Sequence, residues 1–370
     1  MGVYMRHRLR RTHKNQYQES IPKMPLKVEH VQYSFINEPA ELQVPDLGHT
    51  TAIPTSAIDQ ENLDDHLTWR TYTEPWKTGG EEALVKASVK EVGIVRNAFP
   101  HVSSPEAMLA MAAWFSVLLI VDDLVESMGV GDGREALTVS IKILRGSCLA
   151  ASEGQFGHSH RLLPADRVLE PNKPIVKVCH VIRSLWTRIH YLLDQDLAQA
   201  MLKDIRACLE GQLAELQYRN TPCMSLAEYA CIRRHSIGAM PFLTLTCLEL
   251  SREIPNRQEK LLRHIKDIVV SIVFLQNDLV GLEKDLKEDA TMNAFMVMSR
   301  SRATSPIPTL QDIRELAHQH NTMVSEALLI CRSSCGFEDS EGYRLAVASA
   351  VSFISTHLTW AKKSKRYDVA

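Results

Sequence analysis

The feature that most restricts the fold is the apolar run 107–121, which ends in two aspartates. Just before it, Ser104, Pro105 and Glu106 form a strong helix start, because serine can cap free N–H groups and proline suits the first helical position. The helix that follows is apolar on nearly every face, which predicts a place at the centre of a helical core. The run is too short to cross a bilayer, so we expect no membrane span.

The chain after residue 60 predicts helices throughout. Two are expected within 175–220, and others at 225–238, 258–289, 310–331 and 341–363, with a loop at 152–174 and a break at Gly238 before Pro241. No alternation typical of β-strands appears. We therefore expect an all-α fold, with residues 61–370 forming one helical domain. Residues 1–60 are rich in proline and are expected to form an extension that is partly disordered or wraps the surface.

Charge and cysteine usage narrow the functional class. The chain has 42 Lys+Arg and 44 Asp+Glu, so its net charge of -2 gives no reason to expect nucleic acid. Its 8 cysteines include no CxxC pair, which indicates free thiols in a reducing compartment. We expect a cytoplasmic protein. The basic N-terminal stretch leaves two interpretations open, a transit peptide or a disordered tail.

The first acidic string, DDLVE at 122–126, continues the apolar helix. Asp122 and Glu126 lie one turn apart on one face, while Asp123 points about 100° away. Phe115 lies on the turns below Asp122 and is expected in a cavity wall. Carboxylates beside apolar surface need a partner charge or a cation, and oxygen ligands without Cys or His indicate Mg²⁺. A solvated helix end on which acidic residues cluster is the alternative interpretation.

The second string, NDLVGLEKD at 277–285, also follows an apolar run. At 100° per residue its polar positions continue the stripe of Val273 and Phe274. The residues on that stripe are Asn277, Gly281, Lys284 and Asp285. Asn and Asp supply oxygen ligands, and Lys can bind a phosphate, although a solvated helix end is again the alternative. Asp278 and Glu283 point elsewhere and are expected at the surface or behind the ligands.

Together these strings resemble the aspartate-rich and NSE-type motifs of class I terpene cyclases, above all the microbial sesquiterpene synthases. The segment YACIRRHSIG at 229–238 resembles the family's YxxxRRxxxG helix segment, and WAKKSKRY at 360–367 resembles its closing Arg-Tyr pair. The motifs occur in the family's order over roughly residues 63–367. There are two departures: Glu126 replaces the usual Asp, and Gly281 replaces the usual Ser or Thr, so we expect a water to complete the coordination there.

The resemblance implies a class I terpenoid synthase bundle around an apolar cavity, three Mg²⁺ ions and a prenyl diphosphate substrate. It implies metal ligation by Asp122 and by Asn277 with Asp285, and Glu126 is a further metal candidate that binds through water or not at all. The residues implied to bind the diphosphate are Arg234, Lys284, Arg366 and Tyr367. Arg233 is the rival of Arg234, and the spacing to Gly238 favours Arg234.

Within the cavity, the helix break at Gly238 is expected to aim a backbone carbonyl at the carbocation. Phe115, Phe274 and Trp360 are expected to stabilise the cation through their ring faces. Plain core packing is the alternative interpretation for each of these aromatic residues.

The leading hypothesis is a cyclase that converts farnesyl diphosphate to a sesquiterpene hydrocarbon or alcohol, as a monomer or homodimer. A diterpene cyclase that uses geranylgeranyl diphosphate remains open. A chain-elongating prenyl transferase would need a second aspartate-rich motif, and this chain has NDLVGLEKD instead. A non-catalytic helical isoprenoid-binding protein is the alternative from another class.

Overall fold

The computed structural model describes residues 28–35, 38–46, 59–76, 80–146, 173–219, 224–250, 256–288, 290–301, 308–334 and 341–364. Within these residues there are two strands, β1 (Val28–Phe35) and β2 (Glu38–Pro45). The helices of the first half are α1 (Gln60–Thr73), α2 (Gly80–Ala98), α3 (Pro105–Glu126), α4 (Val130–Leu144), α5 (Pro174–Leu192) and α6 (Gln195–Tyr218). Those of the second half are α7 (Leu226–Ser236), α8 (Met240–Leu250), α9 (Asn256–Lys287), α10 (Ala294–Ser301), α11 (Leu310–Ser334) and α12 (Glu341–Lys363).

Helix α3 lies at the centre of the helical core, as its composition predicted. Every residue from Ala107 to Val117 is buried, and the helix packs against α2, α5 and α8. Ser104 caps it, since its side chain accepts a hydrogen bond from the Ala107 N–H, with Pro105 in the first turn. At 22 residues, α3 is the one described helix long and apolar enough to cross a membrane. The expectation that this segment is too short to cross a bilayer was therefore wrong for the complete helix. Its burial is nevertheless that of a core helix.

Helices α7 and α8 are separated by the predicted break. Gly238 has φ +69°, a left-handed conformation that favours glycine, and α8 begins two residues later. A Cβ at Gly238 would lie 2.7 Å from Leu118 Cδ2, so the break is packed directly against α3. The polypeptide therefore turns close to the central helix.

The expectation that no strands occur was wrong for residues 28–45. β1 and β2 form an antiparallel hairpin, in which Val31 pairs with Leu42. The hairpin packs on α11 and α12, where Leu42 and Val44 are 1% and 3% exposed. Asn321 of α11 accepts a hydrogen bond from the Gln43 N–H and donates one to the Glu41 carbonyl. Part of the N-terminal extension is thus built into the core.

The helix boundaries otherwise lie close to those predicted. α9 spans Asn256–Lys287 where 258–289 was expected, and α12 ends at the predicted Lys363. The predicted loop at 152–174 lies outside the described residues except for its last two positions. In the part of the chain that the structure describes, the regular elements are helices apart from the hairpin.

Candidate active site

A cavity of about 1050 Å³ opens between α2, α3, α6, α7, α9 and α12. On α3 the lining residues change along the helix from apolar, at Phe115, to acidic, at Asp122 and Glu126. On α9 the lining residues likewise change from apolar, at Val273, to polar at Asn277 and charged at Lys284 and Asp285. The cavity therefore has an apolar part and a polar part, and both helices contribute to each.

The acidic residues of α3 divide as the helical phase predicted. Asp122 is partly buried and lies on the cavity wall with Glu126, while Asp123 is exposed and is absent from the wall. Two carboxylates one turn apart thus border the same space.

The stripe on α9 also lies on the wall, through Asn277, Gly281, Lys284 and Asp285. Asn293 donates a 2.7 Å hydrogen bond to Asp285 Oδ2 and so orients that carboxylate. Burial raises the pKa of Asp285, against the hydrogen bond from Asn293. Lys284 Nζ lies 3.6 Å from Glu288 Oε2. Gly281 lies on the wall without a side chain, at the position where the resemblance leads one to expect a hydroxyl ligand.

Arg233, and not Arg234, faces the cavity. The preference for Arg234 was wrong, because that side chain is exposed and absent from the wall. Arg233 Nη2 donates to Asn277 Oδ1 at 2.8 Å, and Nη1 donates to Glu215 Oε1 at 3.2 Å. Asp122 also lies within its electrostatic reach. Arg233 therefore joins the polar ends of α3, α6 and α9.

Asp278 stands behind Asn277 and holds this arrangement in place. Asp278 is 2% exposed. It was expected either at the surface or behind the ligands, and the surface location was wrong. Its carboxylate accepts hydrogen bonds from the Tyr229 hydroxyl, from Arg233 Nε at 3.3 Å and from the Ala294 N–H at 3.0 Å. Burial raises the pKa of Asp278 to about 6, although these donors oppose the shift. Glu283, in contrast, is exposed and lies at the surface, one of the two locations expected for it.

Aromatic rings line the apolar part of the cavity. Phe115 and Trp360 are both on the wall and meet edge to face, with ring centroids 5.4 Å apart. The sequence reasoning missed three more, Phe99, Phe242 and Phe353, which pack against one another in this wall. Phe99 lies in the segment Ala98-Phe99-Pro100, a few residues before the start of α3.

Two residues expected in the cavity lie elsewhere. Phe274 is 4% exposed and packs edge to face on Tyr229 behind the wall, so it is a core residue. The Gly238 carbonyl accepts a 2.9 Å hydrogen bond from Trp114 Nε1 within the buried core, so it is directed at α3 and not at the cavity. Its neighbours Ile237 and Ala239 do line the wall. Arg366 and Tyr367 lie outside the described residues.

The oxygen atoms present fit a hard cation that is shared with a substrate. In the described part of the chain no three His, Cys, Asp or Glu side chains form a ready cluster for a metal. The ligand candidates instead stand in two pairs, Asp122 with Glu126 and Asn277 with Asp285, on opposite helices. Such all-oxygen half-sites suit Mg²⁺, which keeps waters and phosphate oxygens in its coordination shell.

Comparisons with known proteins agree with this geometry. Pentalenene synthase from Streptomyces exfoliatus is 28% identical over 209 residues, which are 52% of this chain and 60% of that protein. (+)-Eremophilene synthase from Sorangium cellulosum is 28% identical over 145 residues, 38% of this chain and 43% of that protein. The chain thus matches about 60% or less of the length of these two relatives.

Aristolochene synthase from Penicillium roqueforti has a similar fold, with a TM-score of 0.56 and 17% identity over 82% of this chain and 94% of that one. The family model for terpene synthase family 2, C-terminal metal binding, matches residues 113–320. This match covers more than half of the chain and includes both acidic strings. The chain therefore belongs to terpene synthase family 2.

Proposed function

We propose that this chain is a Mg²⁺-dependent cyclase that ionises farnesyl diphosphate and cyclises the carbocation to a sesquiterpene hydrocarbon or alcohol. The observation that carries the proposal is the division of one cavity into a carboxylate-lined part and an aromatic part. A diphosphate with an isoprenoid tail has the same division into charge and hydrocarbon. Relatives named for pentalenene and (+)-eremophilene support a terpene product.

The polar part would bind the diphosphate. Asp122 and Glu126 from α3, with Asn277 and Asp285 from α9, would hold three Mg²⁺ ions. When bound, these ions neutralise the negative charge that develops on the leaving diphosphate. Arg233 and Lys284 add fixed positive charge on the same wall, and arginine suits a phosphate through its fork of donors.

The apolar part would hold the isoprenoid chain and protect the cation. The faces of Phe115, Phe353 and Trp360 attract positive charge, by about 0.5–2 kcal/mol for each ring in a desolvated site. The same rings exclude water, which would otherwise capture the cation early. Arg366 and Tyr367 are retained as diphosphate-binding candidates from the resemblance. We further propose a cytoplasmic location and a monomer or homodimer.

The test uses neighbouring aspartates on α3. Purified protein is incubated with Mg²⁺ and either farnesyl or geranylgeranyl diphosphate, and diphosphate release and volatile products are measured. Asp122→Asn should cut diphosphate release by roughly 100-fold or more, which is the upper range for disturbed metal sites. Asp123→Asn is the matched control, because that side chain points away from the cavity, and it should keep wild-type release.

Removal of metal provides the second arm of this test. EDTA should abolish diphosphate release, and added Mg²⁺ should restore it. Full turnover in EDTA, or equal losses in the two aspartate variants, would contradict the proposed metal site. Turnover of geranylgeranyl diphosphate alone would replace the farnesyl substrate by the longer one.

A further inference from the structure

A chain of hydrogen bonds links the hairpin to the cavity wall through α11, α9 and α12. Asn321 contacts His320 Nδ1 through its Oδ1 at 3.0 Å, and His320 Nε2 lies 3.2 Å from Gln276 Nε2. Gln276 Oε1 in turn lies 2.9 Å from Nδ1 of His357, a residue of the cavity wall. Gln276, His320 and His357 are 0%, 1% and 8% exposed, so the relay runs through the core.

The hairpin backbone fixes the direction of every donor in this relay. The Gln43 N–H can only donate, and the Glu41 carbonyl can only accept, so they determine which end of the Asn321 amide carries oxygen. Because that oxygen accepts, His320 Nδ1 must carry a proton. Burial lowers the pKa of His320 to about 4, so the ring is neutral and its Nε2 accepts from the Gln276 amide.

The same logic sets the tautomer of His357. Gln276 presents its NH₂ group to His320, so its oxygen faces His357 and must accept from Nδ1–H. Burial lowers the pKa of His357 to about 3, so this ring is also neutral. Its lone pair is therefore on Nε2, the nitrogen that does not contact Gln276, and His357 itself lies on the cavity wall.

We propose that His357 Nε2 is the base that ends the carbocation cascade, in the reaction given under the proposed function on which this inference rests. The C–H bond beside the cationic carbon breaks, its electron pair forms the C=C bond, and the proton forms an N–H bond at Nε2. The imidazolium then returns its proton to the released diphosphate. Gln276, His320 and Asn321 are positioning residues that keep the lone pair on the cavity side.

A weak base is sufficient for this step, because a C–H bond beside a carbocation is strongly acidic. A base that stays neutral also leaves the cavity uncharged while the cation passes through it. The ring centroids of Phe353 and Trp360 lie 5.9 and 5.8 Å from that of His357, so the imidazole ring lies beside the groups proposed to hold the cation.

Nitrogen NMR of histidine-labelled protein tests the relay without substrate. Long-range ¹H–¹⁵N correlations should show His357 protonated at Nδ1 and bare at Nε2, with the signals assigned by their loss in His357→Phe. Asn321→Leu removes the amide that fixes which atoms of the relay donate and which accept. It should convert a measurable fraction of His357 to the Nε2–H form. Gln276→Met breaks the relay from inside α9 and should do the same. A wild-type Nε2–H tautomer would overturn the relay.

Product analysis tests the base itself. His357→Phe keeps an aromatic ring in the wall, so diphosphate release should continue. The product formed by the wild-type proton loss should fall by on the order of 100-fold as a share of total product, as expected for a missing general base. His264→Phe, the same substitution at an exposed histidine on α9, should keep the wild-type product pattern.

The two hypotheses fail in different ways. An active wild type whose products are unchanged by His357→Phe would overturn the role of His357 and leave the cyclase intact. A wild type that releases no diphosphate would overturn the proposed function, and the base assignment with it, while the nitrogen spectra would still show whether the relay sets the tautomer.

Discussion

At the scale of single residues, Arg233 determines the electrostatics of the polar part of the cavity. One guanidinium donates to Glu215, Asn277 and Asp278, which come from two other helices. A flexible ammonium group cannot reproduce this fork, even though it carries the same charge.

Replacing Arg233 by lysine should therefore slow diphosphate release more than it disturbs folding. Each lost hydrogen bond between charged groups is worth about 1.5–3 kcal/mol, so a loss of at least about tenfold in kcat/KM is expected. Arg234→Lys is the control, since that side chain is exposed, and it should match the wild type. Equal kinetics for the two variants would show that Arg233 does not act on the substrate.

Prediction from sequence succeeded for α9 and failed for α7 for a physical reason. The stripe of Asn277, Lys284 and Asp285 follows from helical phase alone, because α9 is long and its apolar residues show which face is inward. On the short helix α7, Arg233 and Arg234 are adjacent, and the contact with α6 decides which one faces the cavity. That contact is tertiary and leaves no pattern in the α7 sequence.

At the scale of elements, the contact of α6 with α7 depends on one glycine. A Cβ at Gly211 would lie 2.6 Å from the Ser236 backbone nitrogen and 2.9 Å from His235 Cβ. Backbone atoms cannot yield as a flexible side chain can, so α7 would have to move. Arg233 lies three residues before Ser236 and would move with it.

Gly211→Ala should thus lower the free energy of unfolding by about 1–3 kcal/mol, the usual cost of overpacking, and should also reduce diphosphate release. Gly131→Ala in α4 is the matched control, because nothing lies within 4 Å of a Cβ there. It should leave activity unchanged and raise stability by about 0.4–1 kcal/mol. Chemical denaturation of both variants measures the difference, and equal stabilities would refute the close approach of α6 and α7.

The hairpin is the element that sequence reasoning overlooked, although its signal was present. Leu42 and Val44 alternate with Glu41 and Gln43, and only the apolar pair is buried. This is the period of a strand with one face inward. The signal is short, and the prolines around it indicate irregular structure. Its packing partner, α11, is far away in the sequence.

At the scale of the whole molecule, buried histidines make stability depend on pH. His320 and His357 have pKa values lowered to about 4 and about 3 by burial. The unfolded chain, with histidine pKa values near 6.5, therefore binds more protons than the folded chain below that pH. The stability contributed by the two neutral rings is fully present above pH 6.5 and declines as the pH falls. The decline ends near the pKa values of the two histidines in the folded protein. Asp278, raised to about 6, opposes part of the decline.

Urea unfolding of the wild type and His357→Phe at pH 7 and pH 5 isolates one histidine. Acidification should cost the wild type about 2 kcal/mol more than the variant, because the unfolded His357 alone gains the proton over this range. The opposing contribution of Asp278 is common to both proteins and cancels in the comparison. Identical losses in the two proteins would show that His357 is not buried as a neutral ring.

The cavity of about 1050 Å³ affects which substitutions the protein can tolerate during evolution. A side chain in the cavity wall packs on one side only, so a substitution there removes fewer contacts than a substitution in the closely packed core. Phe115 or Phe353 can therefore be replaced at a modest cost to folding, while the shape of the cavity changes directly. The carboxylate end, joined through Arg233 to three helices, lacks this tolerance. In the proposed reaction, substitutions in the wall would thus change the product skeleton, while the residues that start the reaction would stay fixed.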